Sequence, residues 1–116
     1  MPIKTIRNIL VAAPAVTALV GQRISPNIRA QNEARPAVVL TLISLDPSNH
    51  LAGRPTADAN RVQMDVFAES YNSARTVADA CRDALEAADV VMDNEFESYE
   101  DETAEYRVSQ DWLVWT

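Results

Sequence analysis

Residues 60–69, NRVQMDVFAE, alternate without a break: Val62, Met64, Val66 and Ala68 have one parity, Arg61, Gln63, Asp65 and Phe67 the other. Successive side chains of a strand leave opposite faces, so this pattern predicts a half-buried strand. The stretch before it reads differently. From Pro36 to Leu45 nearly every residue is a β-former, with Val38 to Ile43 the densest part. So solid a run predicts a strand covered on both faces, by helices or by a neighbouring subunit. The two strands fit an antiparallel pair joined by residues 46–59, DPSNHLAGRPTADA. That connection is long for a compact domain, where loops beyond ~12–15 residues are uncommon. Doubling a loop adds only ~0.6 kcal/mol, so its length permits a function without requiring one.

Downstream, Ser70 or Asn72 is placed to cap a helix running to about Ala88. Ala74, Val77, Ala78, Cys81, Leu85 and Ala88 form its apolar stripe, small enough for close docking on a sheet. Asp79–Arg82 and Arg82–Glu86 are helix-neighbour pairs. The chain then becomes extended from Val90 toward Tyr99, passes an acidic hairpin region, and ends in a strand from Ala104 to Thr116. There Tyr106, Val108, Trp112 and Val114 share one parity; Leu113 and Trp115 share the other. One tryptophan is expected in the core and the other, Trp115, in a subunit interface, where tryptophan often anchors binding.

Upstream, Ile3, Ile6, Leu10 and Ala13 follow helical spacing. Pro14 cannot continue that helix and starts a second piece in its own first turn. Val16, Leu19 and Val20 extend the apolar face until Gly21 ends it. A short extended piece, Arg23 to Pro26, and a loop over 27–35 follow. The whole reads as one α+β domain over residues 1–116, a mainly antiparallel sheet of about four to five strands with two helices packed on it.

The chemistry available to 116 residues with one histidine, one cysteine and two glycines is narrow. Cys81 lies in the helical stripe and packs as a small hydrophobe, so nothing signals an oxidising compartment. One cysteine and one histidine do not make a structural zinc site. The acids Asp93, Glu95, Glu97, Glu100, Asp101, Glu102 and Glu105 lack the glycine and ligand spacing of a calcium loop, and read as a solvated acidic hairpin. With glycine only at 21 and 53, no phosphate-cradling loop exists, and no cofactor is implied. His50, in the long loop four residues from Asp46, is a poor general base without a partner to hold it. No run approaches the ~20 apolar residues that span a bilayer. Lys4 and Arg7 before the apolar stretch from Ile9 to Val20 imitate a signal peptide, but the helical spacing and Pro14 favour mature cytoplasmic structure.

The net charge of −7 is unevenly distributed: residues 1–61 hold seven bases against three acids, residues 62–116 fourteen acids against three arginines. The excess of acid opposes nucleic-acid wrapping, which needs clustered positive charge. Halves of opposite sign instead suit head-to-tail self-association. Candidate contact residues are Asp46, His50 and Arg54 in the long loop, Glu97, Glu100, Asp101 and Glu102 in the acidic hairpin, and Trp115.

The order of segments resembles the small tail-completion proteins of siphophages and related prophages. The early helix ends in LVGQRI, Leu19 to Ile24, and a loop leads to RPAVVL, Arg35 to Leu40. RVQMDVFA, Arg61 to Ala68, runs straight into the helix with Ala74 and Ala78. The acidic YEDETAEYR, Tyr99 to Arg107, closes in DWLVW, Asp111 to Trp115. The resemblance implies a virion tail protein assembled in the host cytoplasm. Its subunits form a ring, commonly a hexamer, on the head-proximal end of a finished tail tube, with no catalytic residues. The ring stops polymerisation of the tail-tube protein and presents a surface to the head-completion or stopper protein, and DNA passes through its lumen without specific binding. No membrane is involved. In such a lumen the acids of residues 93–105 would repel phosphates. A head–tail adaptor or stopper, or a tail-tube protein, is the nearest alternative. A small cytoplasmic hydrolase using His50 is more remote.

Overall fold

The computed structural model describes residues 2–26, 35–46 and 59–115. Three helices lie against one sheet: α1 (Pro2–Val11), α2 (Pro14–Val20), β1 (Ile24–Pro26), β2 (Ala37–Asp46), β3 (Ala59–Ala68), α3 (Tyr71–Ala87), β4 (Val91–Glu100) and β5 (Glu105–Trp115). The α+β class stands. The third helix comes from Pro14, which has no N–H to extend α1. The chain bends by 92° there, and Pro14 opens α2 as a first-turn residue. Gly21 ends α2 at φ 59°, a conformation that strains any side chain. No single described helix is long and apolar enough to cross a membrane.

The strand order is β1-β2-β3-β5-β4. β2 and β3 pair antiparallel with Leu40 opposite Met64, as the two hydrophobic patterns require. β3 and β5 pair antiparallel with Val62 opposite Trp112. Only β1, three residues long, runs parallel to its neighbour, with Ile24 opposite Val38.

The alternation in β3 decides which face is covered. Val62, Met64, Val66 and Ala68 are buried beneath the helices with Val38, Leu40, Val108 and Trp112. From above, α3 contributes Ala74, Val77, Ala78, Cys81 and Leu85; α1 contributes Ile6 and Leu10. Each fully buried large aliphatic side chain stabilises by ~1.5–3 kcal/mol. Ser70 is the N-cap of α3, accepting the Ser73 N–H at 3.1 Å, a contact worth about 1 kcal/mol.

One expectation is met in part by the single chain, and another needs correction. Within one subunit β2 is covered on both faces only over its first half, which leaves the second half to a neighbouring subunit, the other expected cover. Ala37 to Leu40 are buried, but Leu42 and Ile43 are 39% and 49% exposed. β1 stops at Pro26 opposite Leu40, so the later residues of β2 have β3 as their one strand neighbour among the described residues. Second, Asp79 pairs with Arg75 at 2.5 Å and not with Arg82, which binds Glu86 at 3.2 Å. Both are i,i+4 spacings, where helical side chains meet most easily.

Candidate interaction surface

The hairpin of β4 and β5 brings Glu97, Glu100, Asp101 and Glu102 to one edge of the molecule. β4 is the last strand of the sheet, bonded to β5 alone among the described residues. Asp46 and Trp115 lie far from them: both align with Ala59, at the other end of the strands. With β5 eleven residues long, the two ends are ~30–35 Å apart at about 3.3 Å per residue. His50 and Arg54 fall outside the described residues. The eight candidates are therefore not one site.

The hairpin is less solvated than its composition implies. Glu105 is 2% exposed and lies 3.3 Å from Arg35. Glu95 accepts from Gln110 Nε2 at 2.9 Å and from Arg75 Nη1 at 3.1 Å. A buried carboxylate persists only when paired or hydrogen-bonded, and the fold supplies arginines for that purpose.

Those arginines are shared. Arg75 meets Asp79, Glu95 and Glu97 at 2.5, 3.1 and 3.1 Å. Desolvation works against its charge, but the hydrogen bond to Asp79 and the attraction of Glu95 prevail and hold its pKa above the ordinary value. Arg61 lies 2.6 Å from Asp93 and 3.8 Å from Asp111. Arg107 meets Asp65 at 3.2 Å and Glu100 at 3.4 Å, with Phe67 under its guanidinium, 6.0 Å from the ring centroid. Two or three carboxylates per cation leave this edge strongly acidic.

Two hydrogen-bond chains tie the edge to the core. On the helix-covered face the Trp112 indole donates to Gln110 Oε1 at 3.1 Å, and Gln110 in turn donates to Glu95. On the other face Ser109 and Arg107 both donate to Asp65, which is 7% exposed. The sequence contained a clue to the first chain: Gln110 is a polar residue at the parity of Val108 and Trp112. Next to this edge Tyr71, Tyr99 and Tyr106 cluster, with Tyr106 centroids 6.1 Å from Tyr71 and 4.7 Å from Tyr99. The Tyr71 hydroxyl donates to Glu97 at 2.9 Å, and that bond raises the Tyr71 pKa above its ordinary value.

Elsewhere the described residues hold little reactive chemistry. No group of three or more potential metal-ligating side chains occurs among the described residues. Cys81 is buried, and desolvation pushes its thiol up to about 12. A groove of about 560 Å³ between the α1–α2 corner and α3 is lined largely by Ala13, Pro14, Ala80 and Ala84, with Asp79 and Asp83 its titratable groups.

The polar side chains of the sheet hold strands and helix together and leave an acidic edge. Residues 4–116 match the family model of the tail completion protein gp17, and the chain belongs to that family. It is a structural protein of a phage tail, found in the virion. The fold is shared with a chain of a solved structure described as the virion of a native gene transfer agent particle. That match has a TM-score of 0.79 and 17% identity, covering 93% of this chain and 88% of the other. No curated protein matches the sequence.

Proposed function

We propose that this chain acts as one domain that assembles into a ring, a hexamer by family resemblance, on the head-proximal end of the tail tube. The ring ends tube polymerisation and gives the head-completion or stopper protein its seat. The role is assembly, without catalysis. The observation that carries the reading is the family match over nearly the whole chain. The origin of the structural neighbour in a phage-like virion supports it. The charge is consistent with the lumen role: at a formal net charge of −7 the subunit as a whole repels phosphates.

The test is imaging of purified protein mixed with polymerising tail-tube protein. A discrete ring at one end of each tube, with growth halted, is the expected outcome. Long tubes built from this chain alone would mark it as a tube protein. Rings that bind head-completion protein but leave tube growth unchecked would mark an adaptor or stopper.

A further inference from the structure

We propose that the acidic β4 edge of one copy docks against the α1–β1 side of a second copy, giving a head-to-tail contact between unlike faces. This rests on the reading of the chain as a ring subunit and names the surfaces that close the ring. β4 offers ten residues whose outer side meets no strand among the described residues. Unpaired strand edges recruit further strands unless charge, proline or a bulge blunts them; β4 carries both acids and a register shift between Met92 and Asn94, which leaves it to side-chain contacts. Apolar side chains accompany the edge: Val91, Phe96 and Tyr99, each 45–49% exposed, are three of the six exposed large hydrophobics among the described residues.

Charge selects the occupant. Two copies meeting β4 to β4 would set Glu95, Glu97 and Glu100 of one against the same acids of the other, and like charges across a strand pair destabilise it. The matching surface lies on this same chain, at the opposite edge of the sheet. Lys4 is exposed and Arg7 and Arg23 are half-buried, and none of the three has an acid partner among the described residues. Arg7 and Arg23 bond to backbone carbonyls, at Ile24 and at Pro36 and Leu19, which leaves their positive charge uncompensated. Unlike faces on one subunit are what a heterologous contact requires for a closed ring.

The contact is made by α1 covering the edge, not by strand addition to β1. Val38 N–H bonds the Arg23 carbonyl, so the Ile24 groups point away from β2. The Ile24 carbonyl already accepts from Arg7 at 3.1 Å, and its N–H already donates to Gln22 at 2.8 Å. Pro26 has no N–H to offer. β1 is therefore a poor template for a strand, whereas Lys4 on the polar face of α1 is exposed.

The experiment compares wild type with Lys4→Glu, Glu97→Lys and the double variant, by native mass measurement at low salt with the phage's own tail tubes present. Both positions are exposed and outside the core. Each single variant is expected to weaken ring formation by about tenfold or more, because it sets like charges against each other in every contact. The double variant, and an equimolar mixture of the two single variants, should restore it. Raising the salt should weaken the wild-type ring as the charges are screened. Single variants that assemble like wild type would overturn the docking and leave the ring reading intact. A wild type that forms no closed assembly on tubes would overturn both.

Discussion

The two edges of the sheet solve the same physical problem in opposite ways. At β1 the edge is three residues long, and the α1 guanidinium of Arg7 caps its outward carbonyl while Pro26 removes a donor. At β4 the edge is ten residues long, has a register shift between Met92 and Asn94, and keeps its carboxylates. The first edge is closed within the subunit, by the Arg7 side chain on the Ile24 carbonyl and by the Ile24 N–H on the Gln22 carbonyl. The second is blunted by its register shift and its charge, and charge repels one kind of partner while attracting another. A fold with one sealed edge and one selective edge has the unlike faces that the proposed ring needs and a symmetric dimer does not.

The largest test of this contrast asks whether the β4 side is founded on the core. Trp112 is fully buried, and its indole begins the chain through Gln110 to Glu95. Trp112→Ala is expected to cost about 3–5 kcal/mol in urea unfolding, from the cavity and from the hydrogen bond that Gln110 loses. Ile24→Ala, under the sealed edge, should cost less, roughly 2–4 kcal/mol. Equal losses at the two positions would show that the edges do not differ in how the core supports them.

The central strands were legible because the side-chain period is short and local. Val62 to Ala68 alternate, and a slip of one residue would expose all four. Ser70 was readable as a cap by the same locality. What could not be read depends on separation. Arg35 and Glu105 meet although seventy positions apart, so Glu105 looked like one more solvated acid. β1 is too short to show a period, and its parallel pairing with β2 has no local signature. The candidate surface divides on the same line. Composition marked the acidic hairpin, but only the strand order places it at an edge opposite Lys4, Arg7 and Arg23. Nor could spacing separate the hairpin acids from Asp46 and Trp115, because strand length and direction set that distance.

A smaller effect is expected at the sealed edge itself. Arg7 Nε donates to the Ile24 carbonyl from a half-buried position. Arg7→Ala removes that charge-assisted bond and should cost ~1–3 kcal/mol. It also frees the outward carbonyl of β1, so amide exchange at Ile24 and its neighbours should quicken while exchange in β4 stays as it was. If the two strands respond alike, Arg7 is a general stabiliser and the contrast between edges loses its mechanism.

The smallest effect lies at the selective edge and is read by pH. The Tyr71 hydroxyl donates to Glu97, and its pKa is raised from 10.0, first by that hydrogen bond and then by desolvation and the nearby carboxylate. The sign follows from which form is favoured. The folded protein prefers the protonated phenol, so the contribution is complete below the ordinary tyrosine range and is lost as pH rises through the raised value. In an alkaline absorbance titration, the difference between wild type and Tyr71→Phe should contain one phenol ionising above 10. A difference curve centred on the ordinary value would mean that Glu97 is not held by Tyr71 in solution. The carboxylate would then be freer to turn toward an incoming cation, and the β4 edge would be more open to its partner than the bond to Tyr71 implies.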